Sequence, residues 1–352
     1  MASSALPGAR STNIEGTHAP FIGGISFDRL TAVLCCWLIG GLYLDGWAHN
    51  HGLVDKTFFT PWHAILYSGY FVCALALVVA VIINHLRGRF WLSAIPRGYA
   101  LSLLGVPLFL VAGVGDMIWH ILFGFEIGIE PLLSPTHLLL AFSGILILSG
   151  PLRAAWQRAD PMASNTWATL LPALLSLLAV FSVFTFFTEF VHPFTQTWAV
   201  TDAHDNSVKS LGAASVLLQA AIMMGFMLFA VSRWRLPLGS FTLIFTLNVA
   251  LMSVLSDEYR LIPGVLLTGI VADLLYWFLR PSTGRRDALR IFSFSIPIFY
   301  YLCYFITLMA TSGITWSIHL WLGSSLLAGA IGLVLSYLLV PPTSPVKYEE
   351  AP

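Results

Sequence analysis

Charge is what this chain has least of. Asp, Glu, Lys and Arg make up 10% of its 352 residues, against about 25% in an average soluble domain. With 57% hydrophobic residues, the sequence lacks the polar surface to face water all round. That excludes an ordinary soluble domain and leaves an all-α polytopic membrane protein. The formal net charge is zero, so no basic bias points to a nucleic-acid partner. Cysteine is also scarce: Cys35, Cys36, Cys73 and Cys303 all fall inside apolar runs, which argues against a disulfide framework and a CxxC metal site. Missing too are a P-loop, a Rossmann glycine pattern, a G-x-S-x-G elbow and the HxxxH and HxxHH clusters of membrane desaturases. Residues 1–25 lack the charged-then-apolar order of a signal peptide and read as a flexible tail.

What is present is a succession of apolar runs, each near the roughly 20 residues a bilayer span needs. Ten can be drawn, at about 28–48, 63–85, 99–121, 135–152, 167–190, 208–231, 238–256, 261–279, 290–311 and 315–340. They form one transmembrane domain over 26–340, in which 26–152 holds a repeated pattern and 153–340 the remaining helices, followed by a tail over 341–352. With the N-terminus inside, the inward segments carry 14 of the 17 basic residues and the outward ones only Lys56, Lys209 and Arg260. The positive-inside rule then predicts cytoplasmic termini and outward-facing hairpins.

The histidines follow that polarity. His49, His51, His63, His120, His137, His192, His204 and His319 lie in or beside outward connections. No histidine pair crosses the bilayer, which disfavours a transmembrane b-haem chain. Asp273 is the lone acid well inside a run, which disfavours a proton pump or ion-coupled carrier.

The repeated pattern is D-x-x-x-H followed by [S/T]-P-x-H. The first copy is Asp45…His49 and Thr60-Pro61-Trp62-His63; the second is Asp116…His120 and Ser134-Pro135-Thr136-His137. Residues i and i+4 share a helix face, so each Asp and its His project together. Thr60 and Ser134 suit the N-cap and the prolines the first helical position, which places His63 and His137 in the first turn of the returning helix. Two imidazoles and a carboxylate at one depth can hold a divalent ion; imidazole suits copper, zinc, iron and nickel. The plainer alternative is a hydrogen-bonded Asp–His cluster clamping each hairpin.

The second copy, with Trp119, resembles the Asp-x-x-Trp-His and T-P-S-H segments of the C subunit of the copper membrane monooxygenases, the particulate methane and ammonia monooxygenase family. The first copy resembles a neighbouring set in that family that has Asn in place of Asp. The likeness covers the first four runs. It implies copper at Asp45, His49, His63, Asp116, His120 and His137, with iron or zinc as alternatives, a small apolar substrate, and partner subunits or an electron donor. The chain departs from the family in the longer interval between His120 and His137, in having Asp in both copies and in having more helices; the sequence also shows no cupredoxin-like domain, which the family's complexes carry in another subunit.

Further candidates are weaker. Glu126 and Glu130 lie in the second loop, where solvation is the plain reading. Glu189, His192 and His204 look like a decayed third copy. His51 cannot share the face of His49 and reads as solvent-facing or supporting. Met223, Met224 and Met227 read as packing, and Trp47, Trp62 and Trp119 as walls at the depth of the motif. Three functions compete: a copper- or iron-dependent membrane oxygenase; a metal sensor, chaperone-acceptor or transporter; and a structural subunit in which Asp–His clusters are interhelical glue.

Overall fold

The computed structural model describes residues 21–53, 58–124, 128–158 and 166–342; of the tails expected at 1–25 and 341–352, residues 1–20 and 343–352 lie outside them, and the first helix already begins at Gly24. Among the described residues the protein is all-α, with no β-strand. The first half contains α1 (Gly24–Asn50), α2 (Pro61–Leu86), the short α3 (Trp91–Ala94), α4 (Ala100–Phe123), the short α5 (Glu130–Leu133), α6 (Pro135–Leu148) and α7 (Gly150–Trp156). Then come α8 (Trp167–Phe187), the short α9 (Trp198–Thr201), α10 (Asn206–Arg233), α11 (Ser240–Ser256), α12 (Ile262–Leu279), α13 (Arg286–Thr311) and α14 (Ile318–Leu339). Eight of these, counting the turn at 259–261 with α12, are long and apolar enough to cross a membrane. The pair α6–α7 passes the same criteria together but is bent by 43°, and α11 is apolar but shorter.

Every apolar run of the sequence falls on one of these elements. One departs from a single straight span. The run 135–152 breaks at Ser149–Gly150, because Pro151 in the first turn of α7 has no N–H and its ring meets the carbonyl one turn back. The next backbone pair, Leu152 N and Leu148 O, is also parted. Ser176 on α8 bridges it: its hydroxyl accepts from Leu152 N at 3.2 Å and donates to Leu148 O at 2.6 Å. Arg153 adds a bond to Leu146 O at 2.9 Å. Freed backbone groups inside a bilayer need such partners.

Helix α8 is apolar all round and is the most buried candidate span, as a central helix should be. The α1 helix lies against it, with Tyr43 Oη donating to Ser182 O at 2.9 Å. The first two connections are hairpins in space: α1 packs on α2 and α4 on α6. The third is not, because α10 packs chiefly on α14 rather than α8. The segment leading to α10 is instead tied to the start of α14 by Thr315 N to Val200 O at 2.9 Å and Trp316 Nε1 to Ala199 O at 2.8 Å.

Small residues set the hairpin spacing, as is common where lipid gives no hydrophobic drive to helix association. A Cβ at Gly41 would lie 2.7 Å from Leu66 Cα, and one at Gly69 would lie 2.8 Å from Leu38 Cα, so α1 and α2 touch backbone to backbone. At Gly105 of α4 a Cβ would meet Ser143 O of α6 at 2.8 Å.

Asp273 proves to be structural. Its carboxylate accepts from Phe241 N at 3.2 Å, Thr242 N at 2.9 Å and Thr242 Oγ1 at 2.6 Å. It caps α11 from α12, satisfying amides that a helix start leaves orphaned.

Candidate metal centre

Both helix starts form as their sequences dictate. Thr60 caps α2, its Oγ1 accepting from His63 N at 3.1 Å with Pro61 in the first turn; Ser134 caps α6, accepting from His137 N at 3.5 Å with Pro135 in the first turn. Each cap turns the chain so that the following histidine faces the end of the preceding helix.

Two triads result. In the first, His63 Nε2 lies 3.5 Å and His49 Nε2 3.9 Å from Asp45 Oδ2. In the second, His120 Nε2 lies 3.5 Å from Asp116 Oδ2 and His137 Nε2 3.5 Å from Asp116 Oδ1. Within each triad the three candidate ligand atoms lie within 4.8 Å of one another. Metal bonds of about 2 Å are reached by small side-chain adjustments.

The far nitrogens are held. His63 Nδ1 donates to Phe58 O at 2.6 Å; a carbonyl can only accept, so this bond fixes the proton on Nδ1 and leaves the Nε2 lone pair facing Asp45. His120 Nδ1 donates to Gly124 O at 3.4 Å, and His137 Nδ1 pairs with Ser134 Oγ at 2.6 Å. Gly124 has φ 83°, a conformation that favours glycine, and the turn brings its carbonyl back to the ring. Thr136 Oγ1 donates to Asp116 Oδ1 at 2.8 Å. Outer hydrogen bonds of this kind orient metal ligands and tune their basicity. The histidines are the only ion-pair partners of Asp45 and Asp116 among the described residues. Each triad with neutral imidazoles therefore carries one negative charge, buried at Asp116 and partly buried at Asp45, with no fixed cation among the described residues, a charge that a bound cation would compensate.

The triads face one cavity of about 600 Å³, lined by Asp45, His49, His63, Asp116 and His137 and otherwise mainly by apolar side chains; His120 is buried beside Asp116. The phenyl ring of Phe58 lies 5.0 Å from the His63 ring and 6.4 Å from that of His120, so a single side chain stands between the triads. Tyr67 of α2 lies in the same wall, 5.9 Å from Phe58 and packed over Gly113.

The remaining candidates separate. Glu189 lines the cavity and accepts from Asn50 Nδ2 at 3.4 Å, while its other oxygen has no hydrogen-bond partner. Burial pushes its carboxyl up to about 7, with the Asn50 bond opposing. His192 points instead into a small neighbouring pocket, where its Nδ1 accepts from Phe194 N at 3.2 Å. Burial lowers this imidazole to about 3 and keeps it neutral. His204 is exposed and pairs with Asp202 at 2.8 Å. Neither joins a triad. Glu130 is exposed at the start of α5, and Glu126 lies outside the described residues. His51 reaches away to Asp257 at 2.9 Å, its other nitrogen on Trp47 O at 2.8 Å. Met223, Met224 and Met227 are buried in the core.

Trp47, Trp62 and Trp119 do not line the cavity; Trp47 packs on Trp62 and His51, and Trp119 on Phe123. The aromatic residues nearest the triads are Phe58, against the His63 and His120 rings, and Tyr67, while Phe109, Phe186 and Phe187 line the cavity elsewhere. Neither Phe58 nor Tyr67 stands out in the sequence, although Phe58 sits just before the Thr60 cap. Thr136 occupies the variable position of [S/T]-P-x-H, where hydrogen-bonding capacity was the available signal. No family model, no curated protein and no solved structure matches this chain.

Proposed function

We propose that this chain is a metal-binding integral membrane protein of oxygenase type, holding one ion in Asp45–His49–His63 and another in Asp116–His120–His137 and acting on an apolar substrate. The observation that carries the reading is the gathering of two imidazoles and one carboxylate in each of two triads, with no competing cation among the described residues, five of the six side chains lining one largely apolar cavity and His120 buried beside Asp116. The resemblance to copper membrane monooxygenases favours copper; the two-imidazole, one-carboxylate donor set accepts iron and zinc equally. The apolar runs support ten spans, and the charge bias of the sequence supports cytoplasmic termini and triads on the extracytoplasmic side of the membrane, which we take to be the plasma (inner) membrane.

A bound copper or iron ion supplies the redox chemistry for inserting one atom of dioxygen into a C–H bond, the other leaving as water, with two electrons and two protons from a reductant outside this chain. The chain's own residues do the rest. Asp45 and Asp116 compensate charge. Phe58 O and Gly124 O orient the rings of His63 and His120, and Ser134 that of His137. The leucine and phenylalanine wall keeps bulk water from the open side of each triad. A transport role would need polar groups continuing inward from the triads; the inner wall is apolar instead.

Metal analysis of the purified, reconstituted protein tests the reading. Two ions per chain are expected, one in His63→Ala, one in His137→Ala and none in the double variant. Stable, monodisperse protein that takes up no metal at equilibrium overturns it and leaves the Asp–His clusters as structural clamps. Reductant-dependent oxygen uptake then separates an oxygenase from a sensor or chaperone-acceptor.

A further inference from the structure

The cavity is much longer than a one-carbon substrate requires. On α1 its wall runs from His49 inward to Leu38, and on α6 from His137 to Leu148. Each stretch covers eleven residue steps, or about 16 Å at 1.5 Å per step. On α4 the wall runs from Asp116 to Phe109, about 10 Å by the same rise. Polarity changes along this length. The mouth carries Asn50 and Glu189, the triads come next, and beyond them the chamber is closed by side chains such as Ile39, Leu66, Leu140 and Val183. Its volume of about 600 Å³ lies in the range of sites for sizeable organic ligands.

We infer that the occupant of this chamber is a hydrocarbon chain of roughly eight to twelve carbons in length, its terminal carbon at the triads and its body pointing inward between α1, α4, α6 and α8. The inference rests on the metal reading for the role of the terminal carbon; the seating of the chain rests on the chamber alone. The length follows from geometry: C–C bonds of about 1.5 Å advance an extended chain by roughly 1.3 Å each, so 10–16 Å takes about that number of carbons. The orientation follows from polarity, because a saturated chain offers the Asp and His groups nothing in exchange for desolvation and fits only the inner part. Gly144 marks the waist of the chamber. A Cβ there would sit 3.7 Å from the Phe109 ring, an ordinary contact, so a methyl is tolerated and a longer side chain obstructs.

The test is photolabelling in nanodiscs with a decanol analogue bearing a diazirine at the chain end remote from the hydroxyl, with adducts mapped by mass spectrometry. Adducts are expected near Leu38 and Leu148, saturable, and competed by unlabelled decanol. At equal mole fraction in the bilayer, transfer from lipid to an apolar chamber gives little net hydrophobic gain, so fit decides. Competition should therefore peak near ten carbons and fall at least tenfold for butanol and hexadecanol. Gly144→Phe should cut the deep adducts at least tenfold. Adducts confined to lipid-facing residues, adducts clustered at the mouth near Asn50 and Glu189, or competition indifferent to chain length would each overturn the inference; the wild-type competition decides even if Gly144→Phe does not fold. Metal content of the same samples tests the metal reading separately. Chain binding without metal leaves the chamber and removes the oxygenase, while metal without chain binding does the reverse.

Discussion

Replacing Gly41 by alanine adds one methyl at the point where α1 and α2 touch, and the structure sets its consequence. The new Cβ would lie 2.7 Å from Leu66 Cα and 3.0 Å from Leu66 N. Carbon contacts settle at about 3.5–4.0 Å, and backbone cannot turn aside as a side chain can, so the helices must part by roughly 1 Å. Gly41 is one turn from Asp45, and Leu66 is three residues from His63, so the parting falls on the first triad. Overpacking of this kind costs about 1–3 kcal/mol. The metal-free protein relieves it by splaying, and a bound ion must draw the helices back. At 1.4 kcal/mol per decade, the expected loss of metal affinity is about 5- to 150-fold. The assay is copper titration against a competing chelator in two backgrounds: His137→Ala, where the first triad alone binds, and His63→Ala, where the second does. Gly41→Ala should weaken binding in the first background only. Gly40→Ala, where a Cβ meets nothing within 4 Å, should do nothing. Unchanged affinity in a folded Gly41→Ala protein, or equal loss at both triads, would refute the link between helix spacing and ligand geometry.

Other outcomes follow from single contacts. Thr136→Val removes the hydroxyl that donates to Asp116 at 2.8 Å and should weaken metal binding at the second triad by about 10–100-fold, with the first unaffected in the same titrations. Asp273→Ala orphans two amides at the start of α11 and should lower stability by about 1–3 kcal/mol, read as thermal unfolding in detergent, while metal content stays at two per chain. The His51–Asp257 pair should make stability pH-dependent. Its partner raises the His51 pKa above 6.5 and lowers that of Asp257 below 3.8. The histidine contribution is full below its unfolded value and is lost as pH rises through the raised value; that of the aspartate is full above its unfolded value and is lost as pH falls through the lowered one. The tie is therefore strongest between about pH 4 and 6, and Asp257→Asn should cost most there and progressively less as pH rises through the raised His51 value. A flat difference between the two proteins from pH 5 to 8 would remove the pair from the account.

The apolar runs were legible because a span must be apolar along its whole length, whatever lies beside it. The caps at Thr60 and Ser134 were legible because they are local: the hydroxyl, the proline and the amide it serves lie within four residues. The gathering of Asp45 with His49 and His63, and of Asp116 with His120 and His137, was legible because each combines a helix repeat with a cap. What depended on distant partners was hidden. The break after Ser149 needs Ser176, the role of Asp273 needs the amides of α11, and Phe58 acts through a carbonyl that every residue has. The third set failed for a packing reason. With α10 drawn to α14, nothing folds His204 back toward α8, and His192 turns into a separate small pocket beside Gln219 and Asn248, leaving Glu189 alone at the cavity.

The bridged break between α6 and α7 also bears on how the chain can be made. A segment entering the bilayer with Leu148 O and Leu152 N parted would expose both to hydrocarbon until Ser176 arrives, and each unsatisfied group there costs several kcal/mol. Residues 135–156 cannot complete their insertion as an independent unit. They must wait at the translocation machinery, or pass through as a straighter helix, until the next apolar segment emerges from the ribosome. The wall of the cavity is thus closed by α8, which biosynthesis delivers after every other α-helix that lines it.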